Sequence, residues 1–313
     1  MISKVETIVP MLNENECIDE FVERFGNIVK SVPNNIDLSL TIVDDGSEEV
    51  FKNKLKEVKN RNSFIKVITL TRNFGHQSAI RAGIDNSSAD AVVIIDGDLQ
   101  DPPELIIQMI ESWKNGADHV AMVRKSRKKE SMLKKFTANL FYKVIDRSSS
   151  FDITRNSGDF KLISNWIVKE IQMITEHNLY VRGFVDWLGG NTNYIYYDRD
   201  PRFGGDKKYR YSQSIKVALN GLVGLSDFFP KFLNQIFVVS IFGVIFAISW
   251  ILVSFISYPE NLVPGWSSII LTLMLILVLQ TFSFIFITFY IKKIFEQTSG
   301  KKNYSLRKDD LSD

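Results

Sequence analysis

Two hydrophobic patterns divide the chain. Up to about residue 230, short apolar runs alternate with amphipathic stretches. The runs VETIVP, LSLTIVD, FIKVITL, AVVIID and DHVAMV are too short for core helices and rich in Val and Ile, so they predict buried strands. Between them, Glu16 to Val32, Val50 to Arg61, His76 to Asn86 and Pro103 to Asn115 carry apolar residues at helical spacing and predict helices. Pro102 and Pro103 suit the start of the last one, where a missing N–H costs nothing. This β-α-β rhythm predicts an α/β fold with a parallel, doubly wound sheet. Ligands are then expected at the carboxyl ends of the strands.

The C-terminal third reads differently. Neither Gln235 to Ser257 nor Ser267 to Ile291 contains a charged residue. As helices they would span ~34 and ~37 Å, against a bilayer core of roughly 30 Å. They predict a two-helix transmembrane hairpin. The connection YPENLVPGWS has no Lys or Arg, whereas Lys231 precedes the first run and Lys292, Lys293, Lys301, Lys302, Arg307 and Lys308 follow the second. By the positive-inside rule both ends are cytoplasmic and the loop is external. The expected organisation is a cytoplasmic domain over 1–210, an amphipathic juxtamembrane segment over 211–234, spans at 235–257 and 267–291, an external loop at 258–266 and a basic cytoplasmic tail at 292–313. Charge returns in MISKVETIVPMLNENE before any useful apolar run, so no signal peptide is expected.

Net charge is +2, but basic residues gather in Arg124 to Lys135, Arg199 to Arg210 and Lys292 to Lys308. Such stretches suit a membrane surface or an anionic substrate as well as a solvated face; no nucleic-acid partner is expected. On a helix, KKESMLKKFTANLFYKVID would put Met132, Phe136, Leu140 and Val144 on one face with lysines around it. That fits an interfacial helix, or a helix packed on its own domain. A second such segment is expected from Ser212 to Phe232. The single cysteine, Cys17, excludes an intrachain disulfide, and His76, His119 and His177 have no zinc-type spacing.

Candidate chemistry lies where the predicted strands end: Pro10 with MLNENE, then Asp44-Asp45-Gly46-Ser47, then TRNFGHQ, then DGDLQDPP. The last is the most informative. Asp96 and Asp98 follow a wholly apolar strand, and two like charges so close raise each other's pKa. A divalent cation relieves that repulsion. Mg²⁺ or Mn²⁺ prefers oxygen ligands and is commonly shared between carboxylates and substrate phosphates.

Together VPMLNENE, IVDDGS, TRNFGHQSAIRAG, IDGDLQDPPELI, NSGDFKLIS and RFGGDKKY resemble the family-two glycosyltransferases. More narrowly they are similar to the dolichol-phosphate mannose synthase and bacterial polyprenyl-phosphate glycosyltransferase group, including the bactoprenol glucosyltransferase-like branch with two C-terminal spans. The resemblance implies a GT-A (Rossmann-like) domain and an inverting transfer from a nucleotide diphosphate sugar, UDP-sugar favoured, to polyprenyl (undecaprenyl) phosphate. It implies metal binding by Asp96 and Asp98, donor contacts by Pro10, Glu14, Asp44, Asp45, Asp96 and Gln100, and catalytic positions for Asp159 and Asp98. It also implies a phosphate contact for Arg202; Lys207, Arg124 and Arg127 join it as candidates for the acceptor phosphate, because guanidinium and ammonium groups suit that anion. Gly97 departs mildly from relatives that carry an acidic or small residue there. The acceptor, a phosphate monoester with a second pKa near 6, is already ionised at neutral pH and needs no strong base. The expected location is the cell membrane, with the catalytic domain cytoplasmic; a homo-oligomer is compatible with this reading.

Two other readings fit part of this pattern. A polysaccharide-extending synthase of the same family usually has more spans and a QxxRW-like motif, absent here. A non-catalytic scaffold would have no need of Asp96, Asp98, Asp159 and Arg202.

Overall fold

Seven strands form one sheet in the order β3-β2-β1-β4-β6-β5-β7. They are β1 (Ser3–Met11), β2 (Ile36–Asp44), β3 (Ile65–Thr69), β4 (Ala91–Ile94), β5 (His119–Arg124), β6 (Ser157–Ser164) and β7 (Thr192–Tyr197). The computed structural model describes residues 2–125, 157–174, 181–200, 265–298 and 303–307, with Phe242, Ser249 and Val253. The five strands expected from sequence are present in order. Pairing of β1 with β2 and β4, of β2 with β3, and of β5 with β7 is parallel. The wholly parallel sheet is nevertheless overturned. β6 enters between β4 and β5 and runs antiparallel to both, so the sheet is mixed.

Helices cover both faces. α1 (Ile18–Ser31), α2 (Glu49–Arg61) and α4 (Ile106–Lys114) lie on one side, α4 following a single 3-10 turn at Pro103–Leu105. On the other side lie α3 (His76–Asp85), α5 (Asn165–Met173) and α6 (Val181–Leu188). α1 buries Ile18, Phe21, Val22, Phe25 and Ile28, an i, i+3, i+4, i+7 stripe set by the sequence. Phe21 and Phe25 are wholly buried, each contributing roughly 1.5–3 kcal/mol of transfer free energy. α3 packs on β1 so closely that a Cβ at Gly83 would stand 2.4 Å from the Ile8 side chain.

Two ionisable groups lie in the second layer. His119 and Lys161 are each 1% exposed. Burial, with help from the Lys161 charge, lowers the His119 pKa to about 3. Burial lowers Lys161 to about 8. His119 is therefore neutral when folded, whereas an unfolded chain takes up a proton below about pH 6.5. Its folded pKa is depressed, so this contribution to stability is whole above pH 6.5 and is lost as pH falls toward 3. His119→Leu should lose less stability than the parent between pH 7 and pH 4, by up to about 3 kcal/mol. Denaturant unfolding of both proteins at the two pH values checks this; equal losses would mean that His119 is protonated in place.

The chain divides into two compact units, Met1–Ser226 with Lys302–Asp313, and Asp227–Lys301. The second contains α7, Trp266–Thr298, 33 residues that cover the second apolar run. At ~1.5 Å per residue it is about 50 Å long. Ile269, Leu273, Phe284 and Ile291 on it are exposed. Counting only residues whose side chains are described, no helix is long and apolar enough to cross a membrane; the helical backbone itself is continuous across the run. The first apolar run apart from three residues, most of the loop after it, and both amphipathic segments lie outside the described residues.

Part of the segment expected to be a basic tail belongs to the sheet-bearing unit. Leu306 forms an antiparallel bridge with Leu70, just past the end of β3. The Thr71 N–H donates to the Ser305 carbonyl and the Arg307 N–H to the Thr69 carbonyl, each at 2.9 Å.

Candidate active site

The site lies where the order of the strands reverses, at the carboxyl ends of β1 and β4. Their ladder stops at Ile8 opposite Ile94. Pro10 has no N–H to extend it.

Four loops converge here. After β1, Asn13 takes a φ of 52°, its N–H donates to Ser47 Oγ, and its side-chain oxygen accepts from the Glu48 N–H, both at 2.9 Å. The Glu14 carbonyl accepts the amides of Cys17 and Ile18 at 3.2 Å and starts α1. After β2, Asp44 is fully buried and accepts the Ser47 N–H at 2.9 Å. Asp45 accepts the amides of Phe74 at 2.7 Å and Gly75 at 2.9 Å. Burial raises the Asp45 pKa against those two hydrogen bonds. The loop after β3 is thus hung on Asp45. Gly46 allows this, since it has a φ of 73° and a Cβ there would lie 2.3 Å from the Arg72 carbonyl carbon.

That loop delivers His76, the first residue of α3. Its Nε2 lies 3.1 Å from Asp159 Oδ2 and 3.4 Å from Asp96 Oδ1. Gln77 adds a donor to Asp159 at 3.3 Å. The two carboxylates meet through strand register. Ile94 pairs with Lys161 in the antiparallel β4–β6 ladder, and two residues further Asp96 faces Asp159. Burial opposes a charged imidazole, but the Asp159 hydrogen bond and the charges of Asp96 and Asp159 overcome it and raise His76 to about 9. Burial likewise opposes an ionised Asp159, but His76 and Lys161 lower its pKa. At Asp96 burial wins over His76, and the neighbouring carboxylates add to it, so its pKa is raised.

Asp96 Oδ1 is buried with no hydrogen-bond partner. His76, Asp96 and Asp159 each offer a ligand atom, all within 4.8 Å of one another. One orphaned oxygen in a cluster of oxygen and imidazole donors fits a divalent cation of the Mg²⁺ or Mn²⁺ kind. Asp98, expected beside Asp96 as a ligand, lies outside that trio. Its Oδ1 accepts the Gln100 N–H at 3.1 Å and its Oδ2 lies 3.9 Å from Arg199. The intervening Leu99 is buried, with a φ of 58°. The Gln100 carbonyl accepts the Asp200 N–H at 2.9 Å, which ties this loop to the chain after β7. Gly97 faces the opposite layer: a Cβ there would meet Met11 at 2.8 Å.

Arg124, expected near the acceptor phosphate, is engaged by two neighbours of the site. It donates to Tyr197 Oη at 3.2 Å and to Asp101 at 3.4 Å. Asp101 has no exposed surface and also accepts from Tyr197 Oη at 2.5 Å, with Arg199 Nε at 3.2 Å. Burial opposes the Arg124 charge, but Asp101 and Tyr197 overcome it and raise its pKa. Arg127, Arg202 and Lys207 lie outside the described residues. The structure thus brings Asp96 and Asp159 together, has Pro10, Glu14, Asp44, Asp45, Asp98 and Gln100 at or just past the carboxyl ends of β1, β2 and β4, and adds His76, Asp101, Tyr197 and Arg199. Of these four, His76 stands in TRNFGHQ at the start of a predicted helix, Asp101 in DGDLQDPP and Arg199 at the head of a basic stretch, whereas Tyr197 had no signal in sequence.

Acidic loops over the reversal of a mixed sheet are the arrangement of a GT-A-like domain. The family model "Glycosyl transferase family 2" matches residues 7–172, and the chain belongs to that family. It is a glycosyltransferase. Its relatives include the "Uncharacterized glycosyltransferase YkcC" of Bacillus subtilis (strain 168), 34% identical over 96% of this chain and 92% of that one. The "Bactoprenol glucosyl transferase" of Shigella phage SfX is 31% identical over 97% of this chain and 99% of its own. Among solved structures, glucosyl-3-phosphoglycerate synthase from Mycobacterium tuberculosis, in complex with phosphoglyceric acid, is similar with a TM-score of 0.50 and 16% identity, over 72% of this chain and 81% of that one. At that identity it speaks for the fold alone.

Proposed function

We propose that the chain transfers a hexose from a UDP-sugar to polyprenyl phosphate, undecaprenyl phosphate in a bacterium, at the cytoplasmic face of a membrane. The observation that carries this reading is the correspondence, along nearly the whole of both chains, with transferases named for bactoprenol. In the reaction the bond from the sugar C1 to the diphosphate oxygen breaks, and a bond from C1 to an oxygen of the lipid phosphate forms on the opposite face. UDP leaves. A divalent cation held by Asp96, with Asp98, Asp159 or His76 completing its shell, would offset the charge that grows on the leaving diphosphate.

The chain's own groups do the rest. Asp45 and Gly46 fix the loop that presents His76. His76 Nε2 stands within ion-pairing reach of both Asp96 and Asp159 and keeps the two carboxylates together. Asp159 orients groups beside the reacting carbon; a phosphate monoester needs no strong base. Arg202 and Lys207 are the cations assigned to the lipid phosphate. The apolar runs at 235–257 and 267–291 serve as the two spans, and a lipid-linked sugar made at this face would supply cell-envelope glycosylation.

The test is to incubate the purified full chain with undecaprenyl phosphate and a panel of radiolabelled sugar nucleotides. One UDP-sugar should give labelled lipid, and excess EDTA should abolish the product. Sealed right-side-out vesicles should stay inactive until opened, because the donor cannot cross the bilayer. Label that appears only on a growing polysaccharide would refute the lipid acceptor and favour the synthase reading.

A further inference from the structure

We infer that the segment Asn303–Arg307 is a positioning element for the reacting centre, with Leu306 and Tyr304 as its two anchors. The inference rests on the reading of the His76, Asp96 and Asp159 cluster as that centre.

The geometry begins at an edge. β3 is the outermost strand on its side of the sheet, and an open edge presents unpaired N–H and C=O groups. The segment uses those groups just where β3 gives way to the loop that carries His76. Ser305 and Arg307 exchange backbone hydrogen bonds with Thr71 and Thr69, and Leu306 lies opposite Leu70. Tyr304 and Leu306 pack as partly buried side chains on the layer formed by Ile68, Leu70, Ile80 and Ile84. Tyr304 Oη donates to Asp85 Oδ2 at 3.1 Å. Asp85 is the last residue of α3 and pairs with Arg81 at 2.7 Å, and Arg81 donates to the Ile174 carbonyl at 2.7 Å.

The segment therefore grips both flanks of the loop, the end of β3 through Leu306 and the far end of α3 through Tyr304. Between the grips stand Arg72 to Gly75 and then His76. On the inner side Asp45 and Gly46 pin the same loop. His76 must reach two carboxylates from one ring nitrogen, so a small displacement of the first turn of α3 separates it from one of them. The exposed Arg307–Glu49 pair at 3.8 Å adds little.

The test uses the full chain with Leu306→Asp, and separately Tyr304→Phe. Two quantities are read: turnover of UDP-glucose, as transfer or slow hydrolysis, and hydrogen exchange at Thr71, Phe74 and Gly75 against Val9 and Ile42. Leu306→Asp should speed exchange at the first three amides alone and lower kcat about 10- to 100-fold, as expected for a misplaced reacting group. Tyr304→Phe should show a smaller change of the same kind. A synthetic peptide of residues 301–308 should restore protection and turnover to Leu306→Asp, because the edge it fills is still present. Unchanged turnover despite faster exchange at the loop would overturn the inference. So would exchange that rises equally at Val9 and Ile42, which marks a general stabiliser, or a peptide that restores neither quantity. Should lipid transfer never appear, the acceptor proposal fails, while hydrolysis and exchange still decide this one.

Discussion

Asp96→Ala should abolish transfer, with a fall of about 10³-fold or more, and leave the fold intact. The carboxylate stands at the meeting point of β4, β6 and α3, with one oxygen buried, without a hydrogen bond and 3.4 Å from His76. Its ionisation is opposed by burial and by Asp159, Asp101 and Asp98. Such a group is a burden to the folded domain, and its removal relieves both desolvation and repulsion. It is also the best placed to hold a cation, whose Lewis-acid effect on the leaving diphosphate is worth several kcal/mol. Each ~1.4 kcal/mol is a factor of ten in rate, which gives the size of the expected fall. Transfer rate and thermal midpoint are to be measured on the same preparation. A variant within tenfold of the parent rate would remove Asp96 from the reaction. Asp96→Asn should behave alike, because shape without charge does not bind the metal.

Arg124→Ala is expected to act on folding more than on the lipid. The affinity of a guanidinium for phosphate made Arg124 a candidate for the acceptor, and here that group is engaged with Asp101 and Tyr197. Asp101 has no exposed surface. Breaking such a pair from one side leaves a buried charge short of a partner and costs about 3–5 kcal/mol. Arg199 and Tyr197 remain beside Asp101, so the lower end of that range is expected. The lost stability should show in denaturant unfolding, with little change in the apparent KM for lipid phosphate of the protein that stays folded. A raised lipid KM at unchanged stability would return Arg124 to the acceptor site.

Local pattern made much of this fold legible. The first five strands and the helices α1 to α4 each carry their own periodicity, and the sequence reading had them in order. β6 and β7 were not read as strands. SGDFKLIS was met as a motif, and TNYIYY is a short, half-exposed edge strand with little alternation. The antiparallel entry of β6 has no local signal at all; it depends on which strands accept it. For that reason Asp96 and Asp159 were both named, but their direct opposition was not. The spacing of the histidines spoke only against a structural zinc and gave no sign that His76 meets Asp96 and Asp159, partners that arrive from β4 and β6. Asp101, Tyr197 and Arg199 depend on the same kind of long-range meeting. The seat of residues 303–307 was hidden by their basic neighbours, which read as a solvated tail.

The antiparallel strand also bears on the order in which the molecule is made. β4 and β5 follow one another in the chain, but β6 separates them in the sheet. A nascent chain that has reached residue 125 can pair β1 to β4 and present most of its donor loops. It can set His76 beside Asp96 but does not yet have Asp159. Only when the next forty or so residues have left the ribosome can β6 slot between its neighbours and bring Asp159 into register. Closures between segments so distant in sequence are slow. Chemical competence should therefore be a late event in biogenesis, reached only once β6 is in place.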